Sequence, residues 1–156
     1  TSEALELHEF AKKAGANAGL SVNPYYNKPT QEGLYRHFMT LADKVALPIV
    51  LYNIPGRTGV TMSAATIARL AKHPNIIAIK EATGSLDMIS EIRTSCDITI
   101  VSGDDSLTLP MMSCAAWALC CGAPVVGTPK YAGVHRYHAT QHFPRIVSVD
   151  DGRGMS

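Results

Sequence analysis

Four short β-branched runs recur along the chain, each opening roughly 20 to 30 residues after the last, and this spacing most constrains the fold. They are Ala18 to Val22, Pro48 to Asn53, Ile76 to Lys80 and Ile98 to Ser102. Nearly continuous apolar runs bounded by turn residues read as strands buried on both faces, the habit of parallel sheets. The stretches between them carry helical periodicity, and a helix is the usual crossover between parallel strands. The chain therefore reads as α/β, a parallel sheet with helical crossovers.

The helices announce themselves by spacing and caps. Leu7, Phe10, Ala11 and Ala14 recur at i, i+3, i+4 and i+7 behind a Ser2 cap candidate, which predicts one buried helix face. Leu34, Phe38, Leu41, Ala42 and Val45 mark a second helix with Thr30 as its N-cap. A third begins at Ser63, with Met62 set to staple against Ile67, and ends before His73-Pro74 because the residue before proline avoids helical angles. Further helical patterns run from Ser85 through Ile89 and Ile92, and from Leu107 to Cys114 despite Pro110.

At 156 residues the chain can hold one domain with a real core. A formal net charge of +1 gives no reason to expect nucleic acid or an anionic membrane as partner. No apolar stretch approaches the roughly 18 to 20 residues that span a bilayer. Thr1 opens on what reads as a helix cap with no signal or transit peptide before it. Cys96, Cys114, Cys120 and Cys121 lack secreted-domain spacing, so a reducing, cytoplasmic location is expected.

After Cys114 the texture changes. Trp117, three prolines, the Cys120-Cys121 pair and three histidines fall here, and no clear βα unit can be drawn. Four units are too few to close an eightfold barrel, which takes about 250 residues. The expected division is thus residues 1–114, a partial (β/α)8 barrel from the middle of a longer protein, and residues 115–156, an atypical tail. His135, His138 and His142 at i, i+3 and i+7, with Cys120 or Cys121, offer zinc-type ligands, but their spacing fits no established zinc motif.

Polar residues cluster where these strands end. The runs lead into Asn23-Pro24-Tyr25-Tyr26-Asn27-Lys28-Pro29-Thr30, Tyr52-Asn53-Ile54-Pro55-Gly56-Arg57-Thr58-Gly59, Lys80-Glu81-Ala82-Thr83-Gly84 and Ser102-Gly103-Asp104-Asp105. The carboxyl ends of strands are where α/β-barrel enzymes place their chemistry. Desolvation at such a position disfavours an ammonium, which frees an amine to form an imine with a ketone. That chemistry also needs a proton shuttle and a cation for a carboxylate, and Lys80, a tyrosine and Arg57 supply the three parts. Residue by residue, blander readings stay open. Lys80 snorkels to water, Tyr52 is a core tyrosine, Arg57 a surface cation, and Tyr25 and Tyr26 are packing aromatics.

In this order and spacing the motifs resemble the dihydrodipicolinate synthase family, over about Thr1 to Cys114. The resemblance implies a class I aldolase-type lyase that condenses pyruvate with L-aspartate 4-semialdehyde in the diaminopimelate route to lysine, with no metal or organic cofactor. It implies Lys80 as the Schiff-base lysine and Tyr52 as the acid/base beside it. Tyr26 would complete a proton relay by reaching into a neighbouring subunit of a homotetramer. Arg57 would bind the semialdehyde carboxylate, with Gly103 and Asp104 near the substrate. The related N-acetylneuraminate lyases share the lysine and the tyrosine. They typically lack an arginine at the position of Arg57 and the Tyr-Tyr-Asn-Lys-Pro-Thr run. They remain the alternative activity, and a catalytically inactive fragment is the rival from another class.

Two departures from the family pattern shape what to expect. The Gly-rich segment whose threonine links Tyr26 and Tyr52 is not in this sequence, so the relay is incomplete and the isolated chain is expected to show no turnover and to be marginally stable or self-associating. The Gly-Val-Ile-Ser-like strand expected after Cys114 is replaced by Ala115-Ala116-Trp117-Ala118-Leu119-Cys120. Restoring one G after the Cys114 codon lets that stretch be read, with suitable third bases, as Gly-Gly-Val-Gly-Val-Met, which points to a frameshift, although the restored reading fails from Cys121 onward.

Overall fold

The fold is that of a computed structural model, which describes residues 1–114 and the backbone of two short strands at 118–119 and 146–148. Its centre is four parallel strands, β1 (Ala18–Val22), β2 (Ile49–Asn53), β3 (Ile76–Glu81) and β4 (Thr99–Ser102), paired in chain order. Strand β5 (Ala118–Leu119) adds to the β4 edge and β6 (Ile146–Ser148) to the β1 edge, both in parallel. Beyond those two strands, the tail, with its histidines, its cysteine pair and the reading-frame argument, lies outside the described residues.

Among the described residues six helices follow in chain order: α1 (Ser2–Lys13), α2 (Gln31–Lys44), α3 (Pro55–Thr58), α4 (Ala64–Leu70), α5 (Leu86–Ser95) and α6 (Thr108–Ser113). Three helices carry a side-chain N-cap. The hydroxyls of Thr30, Ser63 and Ser85 accept from the backbone N–H of Gly33, Thr66 and Met88. Pro110 does no harm in α6 because it occupies the third helical position, where an N–H has no intrahelical acceptor to lose. Among the described residues no helix is long and apolar enough to cross a membrane.

One core holds this half of the structure. Leu34, Phe38 and Leu41 from α2, Ile67 and Leu70 from α4, and Ile89 and Ile92 from α5 close over Ile49, Leu51, Ile79 and Ile100 of the sheet. Met62 and Ile67 are both fully buried in that cluster. The opposite sheet face is lined by Ala18, Val50, Ala78 and Val101. Because successive side chains of a strand point to opposite faces, Tyr52 shares the face of Val50, and Lys80 that of Ala78.

Three sequence expectations fail here. Phe10 is 71% exposed, whereas His8, at the next helical stripe, is fully buried. The imidazole accounts for the choice: Nδ1 bonds the Ala4 carbonyl at 2.8 Å and Nε2 meets the Ser21 hydroxyl at 3.0 Å. That fixes α1 on β1 through a polar contact which apolar periodicity cannot register, and the helix N-cap is Thr1 rather than Ser2. Ile77 is 40% exposed inside an apolar strand. The register steps from Ile49–Ile76 to Val50–Ala78, so Ile77 is an extra residue without a partner on β2.

Candidate functional site

Parallel register brings the lysine and the tyrosine together. Tyr52 and Lys80 are direct neighbours across β2 and β3, and Lys80 pairs onward with Val101 of β4. Lys80 is only 4% exposed, with its Nζ 4.4 Å from the centroid of the Tyr52 ring. A cation over an aromatic face is attracted to it, and a neutral amine there has an apolar wall on one side. The snorkelling reading of Lys80 is therefore set aside, since the side chain stays within the protein.

Gly103 completes the wall around the amine. A Cβ built on it would lie 2.8 Å from the Ala82 Cβ, 3.2 Å from the Glu81 carbonyl oxygen and 3.2 Å from the Lys80 Cε. Only a residue without a side chain lets the β4 end close on the lysine stem. The Gly103 N–H donates to the Glu81 carbonyl at 2.8 Å, which carries the sheet pairing one residue past β4.

The other expected residues sit farther out. Arg57 is exposed in the last turn of α3, a four-residue helix that the sequence reading treated as loop. That turn closes on Gly59 at φ +65, a left-handed position that suits glycine, and the Gly59 N–H returns to the Pro55 carbonyl at 2.8 Å. Tyr26 is 95% exposed, so its ring packs on neither Lys80 nor Tyr52. Asp104 is turned into its own loop. Its Oδ1 accepts from the Ser106 N–H at 3.0 Å and from the Ser106 hydroxyl at 2.8 Å, and its carbonyl accepts from the Ser102 and Thr108 hydroxyls, both at 2.8 Å.

Behind the lysine lies a polar group to which sequence reasoning gave no role. Asn53 and Glu81 are buried on the helix-facing side, and Asn53 Nδ2 donates to Glu81 Oε2 at 3.0 Å. The second Glu81 oxygen accepts from the Thr83 N–H at 2.8 Å. Burial raises the pKa of this carboxyl above the ordinary glutamate value, opposed by hydrogen bonds from Thr83 and Asn53. Adjacent polar residues at the ends of apolar strands, Tyr52-Asn53 and Lys80-Glu81, were the available signal, since each pair must place one member on each face. Among the described residues no group of three or more His, Cys, Asp or Glu could hold a metal ion.

A buried amine on one strand with a phenol on the next is suited to carbonyl chemistry, in which the amine adds to a ketone and a nearby hydroxyl carries protons. Known proteins bear on this geometry. The model of the dihydrodipicolinate synthetase family matches residues 1–123, beyond the Cys114 limit drawn from the motifs. The 4-hydroxy-tetrahydrodipicolinate synthase of Geobacter sulfurreducens is 61% identical over 118 residues, which cover 74% of this chain and 41% of that protein. Among solved structures, the synthase of Methylacidiphilum fumariolicum SolV superimposes with a TM-score of 0.76 at 41% identity, covering 88% of this chain and 45% of its own. The chloride-inhibited dihydrodipicolinate synthase of Acinetobacter baumannii, solved with pyruvate, gives a TM-score of 0.69 at 45% identity over 74% of this chain and 40% of its own. The chain thus spans about 41% of the length of the curated relatives it matches, and its described part is a partial (β/α)8 barrel. The chain belongs to the dihydrodipicolinate synthetase family.

Proposed function

We infer that this chain carries the imine-forming machinery of a 4-hydroxy-tetrahydrodipicolinate synthase, condensing pyruvate with L-aspartate 4-semialdehyde. The observation that carries the reading is the nearly inaccessible Lys80 amine 4.4 Å from the Tyr52 ring at adjoining strand ends. The relative solved with pyruvate supports the first substrate. In the reaction the Lys80 nitrogen adds to the pyruvate ketone and water leaves, giving an imine. Loss of a methyl proton makes the enamine, whose carbon attacks the aldehyde of the second substrate. The aldehyde oxygen takes up a proton, and ring closure by the substrate amine expels Lys80 as the free amine. The Tyr52 hydroxyl carries protons in these steps, Arg57 holds the semialdehyde carboxylate, and Tyr26 serves the site of a neighbouring subunit. Gly103 leaves room for the lysine stem.

Borohydride reduction in the presence of pyruvate, followed by peptide mass mapping, tests the assignment. It is run on the 156-residue chain and on a full-length chimera in which residues 1–114 replace the matching segment of the Geobacter sulfurreducens relative. The adduct is expected on Lys80. An adduct on Lys28 or Lys130 instead, or none in a chimera that turns over, refutes the role of Lys80. Arg57→Ala in the chimera should leave pyruvate trapping nearly intact while weakening semialdehyde use about 10- to 150-fold, the loss of a charge-assisted hydrogen bond of about 1.5 to 3 kcal/mol.

A further inference from the structure

Directly behind the Tyr52–Lys80 pair, a buried amide and a buried carboxyl join the same two strand ends. Asn53 follows Tyr52 and is fully buried; Glu81 follows Lys80 and is 1% exposed. The register pairs Tyr52 with Lys80 and Asn53 with Glu81, so the bridge and the reacting pair occupy opposite faces at one level of the sheet. Asn53 uses its whole amide. Nδ2 donates to Glu81 Oε2 at 3.0 Å and to the Met62 carbonyl at 3.1 Å, and Oδ1 accepts from the Met62 N–H at 3.0 Å and from Asn23 Nδ2 at 3.3 Å.

Those contacts extend to the segment that bears Arg57. Asn23 Nδ2 also reaches the Val60 carbonyl at 3.4 Å, and the Thr58 hydroxyl donates to that same carbonyl at 2.9 Å. Asn53 thereby ties the far end of the segment, at Met62, to the end of β3. Deeper positions on this face, Ile49, Leu51, Ile79 and Ile100, are all aliphatic and belong to the main core. A polar bridge in such a setting is often no more stabilising than well-packed aliphatics, so stability alone does not account for its place. What it uniquely supplies is fixed geometry, because each hydrogen bond constrains distance and direction whereas aliphatic contacts slide.

Building on the imine reading above, we propose that Asn53 and Glu81 are positioning residues whose bridge sets Tyr52 against Lys80 and fixes the Arg57 segment to the same strand ends. The lysine imine and the carboxylate of the second substrate are then held in one frame.

Isosteric substitutions in the full-length chimera test this. Asn53→Asp opposes a carboxylate to Glu81 and should lower kcat/KM at least about tenfold, through slower adduct formation on Lys80 and a raised KM for the semialdehyde. Glu81→Gln alone keeps an acceptor facing Asn53 but turns its NH2 on the Thr83 N–H, so it should lose activity, by less than about tenfold and less than Asn53→Asp. Combining the two restores a donor opposite an acceptor between positions 53 and 81, but not at the Met62 carbonyl, and should recover part of the loss. Recovery of rate and KM is a readout that a bridge serving stability alone would not move. If Asn53→Asp melts earlier yet keeps the parent adduct rate and KM, the bridge is structural and the proposal fails. It fails equally if the double variant folds without recovering adduct formation, or if Glu81→Gln alone loses as much as Asn53→Asp. A parent chimera that forms no Lys80 adduct refutes the imine reading itself, so the two failures are distinguishable.

Discussion

Gly103→Ala offers the sharpest test of how the site is walled, because the structure fixes both the size of the clash and the group that must yield. The added methyl would stand 2.8 Å from the Ala82 Cβ. Carbon atoms rest at about 3.5 to 4.0 Å, so the overlap is roughly 0.7 Å or more. Two of the three neighbours are held by backbone. The Ala82 N–H donates to the Asn53 carbonyl at 2.9 Å, and the Glu81 carbonyl accepts from Gly103 itself at 2.8 Å. The third is the Lys80 stem, 3.2 Å from the new atom and the only flexible partner. Overpacking of this kind costs about 1 to 3 kcal/mol. At about 2 to 4 °C per kcal/mol for a chain of this size, Tm should fall by roughly 2 to 12 °C. Displacing the amine should also slow borohydride-trapped adduct formation, by up to about 100-fold for a shift near 1 Å. Gly56→Ala is the control. Nothing lies within 4 Å of a Cβ there, so stability should hold or rise by about 0.4 to 1 kcal/mol. Thermal melts of the 156-residue chain and adduct kinetics of the chimera decide the matter. A Gly103→Ala protein with the parent melting temperature and the parent adduct rate refutes the wall, as does an equal loss in Gly56→Ala.

Two more predictions concern stability away from the reacting pair. Burial, with the amino-terminal charge and His8 adding to it, lowers the His37 pKa to about 4, so the unfolded chain binds that proton more readily than the folded one. The contribution is complete above the ordinary histidine value of about 6.5 and is lost as pH falls toward about 4, so the urea midpoint should drop across that window and drop less in His37→Gln; an unchanged slope refutes it. Ser85→Ala removes the acceptor that holds the Met88 N–H at 3.2 Å and should cost about 1 kcal/mol in urea melts, whereas a loss below a few tenths would show that α5 does not depend on its cap.

Much of this fold was legible because local rules and tertiary demands agreed. The runs at Ala18, Ile49, Ile76 and Thr99 are apolar on both faces because side chains of both faces are buried, those of Ile49, Leu51, Ile79 and Ile100 on the helix side and those of Ala18, Val50, Ala78 and Val101 on the other. Caps at Thr30, Ser63 and Ser85 are settled within three residues of chain, so sequence could name them. The lysine and tyrosine were legible for a related reason. A polar residue at the end of an apolar strand has one place to go, and parallel register then sets strand ends side by side.

Other features depended on partners remote in sequence. Phe10 and His8 compete for the same buried surface, and only the Ser21 hydroxyl, thirteen residues away on β1, decides for the imidazole. The bulge at Ile77 arises from pairing with β2, which no period within β3 can reveal. Asp104 sits at a strand end like Lys80, yet its carboxylate is taken up by the Ser106 turn. The sequence determined by itself that this is a parallel α/β chain with an amine and a phenol at neighbouring strand ends, because strand period and turn chemistry are local properties. Only the tertiary structure decided which groups stand behind them. The Asn53–Glu81 bridge joins separate strands at 3.0 Å, and Gly103 lies so close to Lys80 that an added Cβ would stand 3.2 Å from the lysine Cε; a contact between strands is made by packing rather than by spacing along one.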